Sequence, residues 1–337
     1  MDREDLQLAM DGLDRMLDAA PLAAIDTDGG QGAAGEELWQ SLTETGYPLL
    51  GVTPEHDGAG GSFADIAQVA MIAGRHALPL ALVETMLGHA VLDAARCPAR
   101  PDGAVALADP GDRAAPIARL APNHALLWYD DGRLCWAAID QAVVEPVHGF
   151  EDHAGRVRQW PNAREMIEAP AWLDADAFRI LCATMRAAQM AGAMQSALAL
   201  SLDYTRQREQ FGRPLAAFQA IQHHLADMAG ETAAATAAVE LAVDALRIGP
   251  PWNETARDDC AIAKIRCGEA AAGVAAAAHQ VHGAMGFTRE YALGRFTRRL
   301  WQWQDDFGSH GEWAARLGEQ VLAAPDPALW PRISHSQ

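Results

Sequence analysis

The sequence is short of positive charge. Lysine and arginine together number 26 against 45 aspartates and glutamates, which gives a formal net charge of −19 at pH 7. Nucleic acids and anionic membranes are bound through basic patches, so this imbalance argues against either one as a partner. An acidic surface also keeps a protein soluble, and the charge alone therefore identifies no ligand.

Paired cysteines and long apolar runs are missing as well. No run reaches the roughly 18 apolar residues of a membrane span, and the first residues, MDREDLQLAM, are acidic where a signal peptide is basic. We therefore expect a cytoplasmic protein without a membrane span. Cysteines are odd in number and lack Cys-x-x-Cys spacing, so neither a disulfide framework nor a zinc site is expected. The five are Cys97, Cys135, Cys182, Cys260 and Cys267.

Familiar motifs of nucleotide-binding and hydrolytic folds are absent too. The sequence has no G-x-G-x-x-G segment after a strand, no Walker loop and no G-x-S-x-G. His279 and His282 are three residues apart, a spacing that suits metal ligands on a helix. Because no third ligand accompanies them, we expect no metal site.

Helical periodicity is present and is interrupted once by short apolar runs that predict strands. Four Ala-rich segments, at about 175–207, 216–247, 256–283 and 311–324, predict an antiparallel bundle. Ser62 is a plausible N-cap of an earlier helix. The predicted fold class is mostly α with a small β subdomain. Its predicted parts are an N-terminal helical domain (1–98), a reduced middle β domain (99–171) and a C-terminal helical bundle domain (172–330).

One candidate site follows the first long helix, which is predicted to end near Gln210. Arg206 and Arg208 lie in its last turn, ahead of a Phe-Gly-Arg-Pro turn. Cations there suit the negative end of the helix dipole, and on spacing alone we favour this structural role. The alternative is that one of these arginines binds a phosphate.

A second candidate site lies in AHQVHGAMGFTREY, residues 278–291. Gly283 and Gly286 allow a ligand to approach the backbone closely. Gln280 offers both a donor and an acceptor to a pyrophosphate or an adenine. Taken alone, this signal is weak.

Together these stretches resemble the acyl-CoA dehydrogenase family. The matching runs are Y-x-x-x-R-x-Q-F-G-R-P-L-x-x-F-Q-A-I-Q and H-Q-V-H-G-A-M-G-F-T-x-E-Y, with a looser match in G-Y-P-L-L-G-V-T-P-E-H-D-G-A-G-G-S. The resemblance implies FAD bound between subunits and an electron-transfer acceptor. It also implies removal of hydrogens from the α and β carbons of an acyl-CoA thioester, with a carboxylate taking the α-proton.

Residue by residue, the resemblance implies a set of cofactor contacts. One group would touch the FAD of a neighbouring subunit or flank it, and a second would line the pyrophosphate region. Ser309 would take the place of the Thr that follows the catalytic Glu. The first group is Arg208, Phe211, Gln219 and Ile221, and the second is Gln280, Gly283 and Ala284.

The chain departs from the family where the base is expected. Counting back from Gly308 and Ser309 places Phe307 in the Glu position, and the alternative position on the preceding long helix falls on Cys182. Neither residue accepts a carbon-bound proton as a carboxylate does. The middle region has LADPGD at 107–112 but nothing like the family's Trp-Ile-Thr motif.

Three interpretations follow, and we favour the first. In this interpretation the chain is one subunit of a heteromeric acyl-CoA dehydrogenase, with a bulky or steroid side-chain CoA among the candidate substrates, and contributes FAD contacts without its own base. Alternatively it is a complete flavin dehydrogenase that uses Asp306 as base, although Asp306 could instead be a solvated turn residue or pair with Arg298 or Arg299. The third interpretation is a helical scaffold without flavin.

Overall fold

The computed structural model describes residues 2–27, 30, 32–117, 124–147, 155–288 and 290–323. Its N-terminal part is helical, and Ser62 caps the fourth helix in a reciprocal capping box with Asp65, as predicted. None of the helices in the described ranges has the length and hydrophobicity of a bilayer-crossing segment. The N-terminal helices are α1 (Arg3–Ala19), α2 (Leu22–Thr27), α3 (Ala33–Glu44), α4 (Phe63–Arg75) and α5 (Leu82–Ala94).

Strands follow in the predicted middle region. A four-stranded sheet has the order β1-β2-β3-β6, in which β1 and β2 are parallel and the other pairs antiparallel, and β4 pairs with β5. Alternate residues of β2 and β3 pack on the main helical core and on a smaller cluster. The strands are β1 (Val105–Leu107), β2 (Ala125–Asp130), β3 (Arg133–Ala138), β4 (Val143–Pro146), β5 (Gly155–Gln159) and β6 (Glu165–Glu168).

The C-terminal part is again helical, and the predicted long helices are all present. A short hairpin separates the first two of these helices. Its strands, β7 (Glu209–Gln210) and β8 (Arg213–Pro214), have two residues each. A shorter helix, α9, is additional to the four predicted. The helices are α6 (Ala175–Gln207), α7 (Gln219–Arg247), α8 (Glu254–His282), α9 (Leu293–Trp303) and α10 (His310–Ala323).

Small residues bring the N-terminal and C-terminal helices into close contact. A Cβ on Gly192 of α6 would lie 2.0 Å from the Met71 carbonyl oxygen of α4, and one on Gly74 would lie 2.0 Å from the Gln189 carbonyl oxygen. The backbones of α4 and α6 therefore cross with no room for a side chain at either position. One hydrophobic core runs through both helical parts, and the three-domain division stays a prediction.

Candidate active site and cofactor contacts

The turn between α9 and α10 occupies the place where the resemblance puts the catalytic carboxylate. Phe307 has a left-handed φ of 58° and is buried, and the indole Nε1 of Trp313 donates to its carbonyl oxygen at 3.0 Å. Trp303 is fully buried, whereas Trp301 is 41% exposed. The turn is thus packed into the protein, with an aromatic side chain at the position where the resemblance predicts the base.

Asp306 forms a buried ion pair with Arg186 of α6. The Nε of Arg186 lies 3.0 Å from the Asp306 carboxylate, and its Nη1 lies 3.0 Å from Glu84 of α5. The same guanidinium donates to Gln189 at 2.6 Å. Arg186 is only 2% exposed, so both ion pairs are shielded from water.

Arg298 and Arg299, which the sequence offered as alternative partners of Asp306, have other partners on the N-terminal helices. Both arginines extend from α9 toward Asp26 of α2, with Arg299 in direct hydrogen-bond contact and Arg298 at 3.9 Å. Helix α9 ends at Trp303, so the helical spacing that would align position 306 with these arginines is broken before the turn.

The two possible base positions lie around this same arginine. Cys182 is one helical turn before Arg186 on α6 and is fully buried, which raises the pKa of its thiol well above the usual value. The Arg186 guanidinium also lies over the Phe307 ring, 5.7 Å from its centroid, and 5.3 Å from the Trp303 ring. A guanidinium therefore occupies the region between the two positions.

Sequence reasoning missed Lys264 of α8, the only lysine of the chain. Its side chain is completely buried and donates to the carbonyl oxygens of Trp303 at 2.7 Å and Gln304 at 3.0 Å. Burial lowers the pKa of Lys264 to about 8, although the nearby Asp306 carboxylate acts in the opposite direction. The signal that could have identified it is compositional, since every other basic residue is an arginine.

The predicted cofactor contacts after α6 are exposed. The helix ends at Gln207 rather than near Gln210, and Arg208 is its exposed C-cap. Phe211, at the tip of the β7–β8 hairpin, has a φ of 53° and is 91% exposed. A cation and an aromatic ring are therefore presented to an outside ligand or chain.

The predicted contacts at the end of α8 lie at the same end of the bundle. Gln280, Gly283 and Ala284 are all exposed, and Gly283 ends the helix with a φ of 59°. Tyr204, four residues before Arg208, stacks on His282 with ring centroids 4.5 Å apart and donates to the His282 carbonyl oxygen at 3.4 Å. This contact brings the two predicted segments together.

The histidines of this region are engaged by protein groups. The Nε2 of His279 lies 2.9 Å from the Thr297 hydroxyl, and the Nε2 of His282 lies 3.1 Å from the Tyr291 hydroxyl. Burial lowers the pKa of both rings. They hold α8 against α9 and against the segment that leads into it.

The remaining predicted contacts divide between two places. Gln219 and Ile221 begin α7, directly after the hairpin. Ser309 begins the segment into α10 and forms a reciprocal cap with Glu312. A Cβ on Gly268 of α8 would contact His310, so Ser309, the residue before His310, lies beside Gly268. At 1.5 Å per residue, Gly268 and Gly283 are about 22 Å apart along α8. The structure thus groups the helix-end contacts and sets Ser309 apart.

Similarity to known proteins identifies the family of this chain. Residues 182–301 match the acyl-CoA dehydrogenase C-terminal domain. The whole chain is similar to acyl-CoA dehydrogenase IpdE2 of Mycobacterium tuberculosis, with 31% identity over 320 residues that cover 91% of this chain and 92% of that protein. The chain belongs to the acyl-CoA dehydrogenase family, whose members are flavin oxidoreductases.

Solved structures show the same fold. The ChsE4-ChsE5 complex from Mycobacterium tuberculosis matches with a TM-score of 0.78 and 19% identity over 96% of this chain and 99% of that chain. A variant of the Tcur3481-Tcur3483 steroid acyl-CoA dehydrogenase matches with a TM-score of 0.73 and 21% identity over 95% of this chain and 98% of that chain. At these identities the likeness concerns the fold.

Proposed function

We propose that this chain is a subunit of a heteromeric FAD-dependent acyl-CoA dehydrogenase, and that it provides cofactor contacts but no catalytic base. The observation that carries the proposal is the ion pair of Asp306 with the buried Arg186. Phe307 and Cys182 stand at the two positions where the family resemblance places a carboxylate. The proton of the acyl α carbon is then taken by a residue of a homologous partner subunit.

The electrostatics of the turn support this assignment. A guanidinium at 3.0 Å stabilises the ionised form of a carboxylate and makes it a weaker acceptor for a carbon-bound proton. Arg186 also pairs with Glu84, which makes a cluster of four charged groups. In it the carboxylates of Glu84 and Asp306 face the cationic Arg186 and Lys264. The charges of these four groups balance when Asp306 is ionised.

The exposed end of the bundle suits contacts with FAD. Arg208 offers a guanidinium for a phosphate, Phe211 an aromatic face, and Gln280 an amide donor and acceptor. No side chain at Gly283 blocks access to the backbone there. When bound, FAD supplies the acceptor for the hydride of the acyl β carbon. This chain's residues would hold the cofactor against the partner subunit and exclude water around it.

The names of the relatives support a proposal for the substrate and the partners. One matching structure is a two-protein complex and another is a steroid acyl-CoA dehydrogenase, which supports a homologous partner subunit and a bulky or steroid side-chain CoA thioester as substrate. We also propose that an electron-transfer protein reoxidises the flavin. Five free cysteines are compatible with the reducing cytoplasm.

The test is flavin content and acyl-CoA dehydrogenation for the chain alone and co-expressed with a homologous subunit. We expect flavin and turnover only with the partner. In the active pair, Arg208→Ala should weaken FAD binding by about tenfold or more, because it removes a charge-assisted contact. Arg206→Ala is the matched control, since Arg206 is also exposed and lies 3.7 Å from Asp203 of its own helix. Equal flavin binding in both variants would contradict the assignment of Arg208.

A second candidate, a complete dehydrogenase with Asp306 as base, is favoured by one observation. Asp306 is 13% exposed and lies next to the expected position, among Trp303 and Phe307. This second candidate function predicts that the chain alone binds flavin and is active, and that Asp306→Asn abolishes turnover without loss of flavin. If neither the chain nor the pair binds flavin, both proposals fail and the helical scaffold interpretation remains.

A further inference from the structure

Lys264 binds the backbone at the point where α9 ends and the turn begins. Its ammonium group donates to the carbonyl oxygens of Trp303 and Gln304, two of the groups that a helix C-terminus leaves without an intrahelical partner. A cation is also favourable at the negative end of the helix dipole. Because this lysine is completely buried on α8, it ties the end of α9 to the centre of the bundle.

The turn that follows is held by side chains from other helices. Arg186 of α6 binds the Asp306 carboxylate, and Trp313 of α10 donates to the Phe307 carbonyl oxygen. Phe307 itself has a left-handed φ, which a non-glycine residue adopts only when its surroundings impose it. Lys264, Arg186 and Trp313 thus fix successive positions of one strained turn.

We infer that Lys264 is a positioning residue, which sets the position and direction of the turn formed by residues 304–309. This placement brings Ser309 into contact with the cofactor of the assembled enzyme. The cofactor contact rests on the proposed function, whereas the placement of the turn does not. The ionisable groups facing the ammonium are the carboxylates of Asp305 and Asp306, the Arg186 guanidinium and the Cys267 thiol. Among these groups it is the Lys264 ammonium that donates the hydrogen bonds to the Trp303 and Gln304 carbonyl oxygens.

Substitution distinguishes a positioning role from a general contribution to stability. Lys264→Met keeps a long unbranched chain but donates no hydrogen bond, and Lys264→Arg restores a buried cationic donor. Val274→Ala is the control, because Val274 is fully buried on the same helix and away from the turn. Its truncation destabilises the bundle without touching the end of α9.

The first measurement is hydrogen–deuterium exchange of the chain alone, in which the cofactor plays no part. Lys264→Met should accelerate exchange selectively over residues 303–309, Lys264→Arg should reverse part of this effect, and Val274→Ala should leave the segment at its original rate. Uniform acceleration across all helices in Lys264→Met, or the same pattern in Val274→Ala, would overturn the placement role.

The second measurement uses the co-purified subunit pair. Lys264→Met should weaken FAD retention by about tenfold and shift the visible flavin band, with partial recovery in Lys264→Arg. Unchanged flavin affinity and spectrum, together with selective exchange in the turn, would refute the cofactor part of the inference. A wild-type pair without flavin would instead refute the proposed function and leave the exchange result to decide the placement of the turn.

Discussion

Replacing Arg186 by methionine should lower the free energy of unfolding by about 4 kcal/mol. Removing one partner of a buried ion pair costs roughly 3–5 kcal/mol, because it leaves an uncompensated charge. Arg186 is 2% exposed, and its guanidinium nitrogens lie 3.0 Å from the carboxylate oxygens of both Glu84 and Asp306. Methionine retains most of the side-chain stem, so the loss comes mainly from charge rather than from a cavity.

A double-mutant cycle isolates the interaction with Asp306. Urea unfolding followed by circular dichroism gives the free energies of the wild type, Arg186→Met, Asp306→Asn and the double variant. Asp306→Asn alone should cost about 2 kcal/mol, but in the Arg186→Met background it should cost nothing or stabilise, because that carboxylate has already lost its cation. The coupling should therefore be about 2 kcal/mol or more.

Additivity within about 0.5 kcal/mol would refute the reasoning, since it would mean that the two side chains do not interact in solution. Arg206→Met is the control for losing an arginine without losing a buried pair. Its side chain is mostly exposed beside Asp203, and the expected change is below about 0.5 kcal/mol. The same set of variants, assayed in the subunit pair, separates the structural role of Asp306 from a catalytic one.

Three further predictions use the same unfolding assay. Gly192→Ala should lower the free energy of unfolding by at least about 2 kcal/mol, because its Cβ would lie 2.0 Å from the Met71 carbonyl oxygen. Gly230→Ala has open space around its Cβ and should raise the free energy of unfolding by about 0.5–1 kcal/mol. Equal effects of the two substitutions would refute the close crossing of α4 and α6. Burial lowers the pKa of His89 to about 4 from 6.5, so stability should fall as pH drops through that window, and His89→Gln should remove this loss. Burial likewise lowers the pKa of Lys264 to about 8 from 10.5, so this group should add roughly 3 kcal/mol to the free energy of unfolding as pH rises between those values. The difference between the wild type and Lys264→Met should change by that amount, and a constant difference would contradict the assignment.

The fold was predictable because its signals are local. The 3.6-residue periodicity predicted α6 with its end within about three residues of the observed Gln207, and a serine before a helical segment predicted the cap at Ser62. Helix α9 was not among the predicted long helices, because it has only 11 residues and lies between a Gly-rich turn and a second turn. Short elements of this kind depend on packing more than on pattern.

The centre of the candidate site was less predictable because its contacts are distant in the sequence. Asp306 and Arg186 are 120 positions apart, and no spacing rule connects a turn after α9 with the middle of α6. The partners that the sequence offered for Asp306, Arg298 and Arg299, are close to it in the chain, whereas Arg186 is not. Likewise the sequence shows that Lys264 is unique, but only the fold shows that it is buried and bound to the end of α9.

Arg186 carries more information about the chemistry than Phe307 does. Phe307 alone leaves the neighbouring Asp306 available as a base. The buried guanidinium between Glu84 and Asp306 stabilises the charged form of that carboxylate and so opposes its protonation. This ion pair is therefore the observation to test against the proposal that Asp306 is the base. The exposed residues proposed to contact the cofactor, at the other end of α8, are compatible with a base supplied by another subunit.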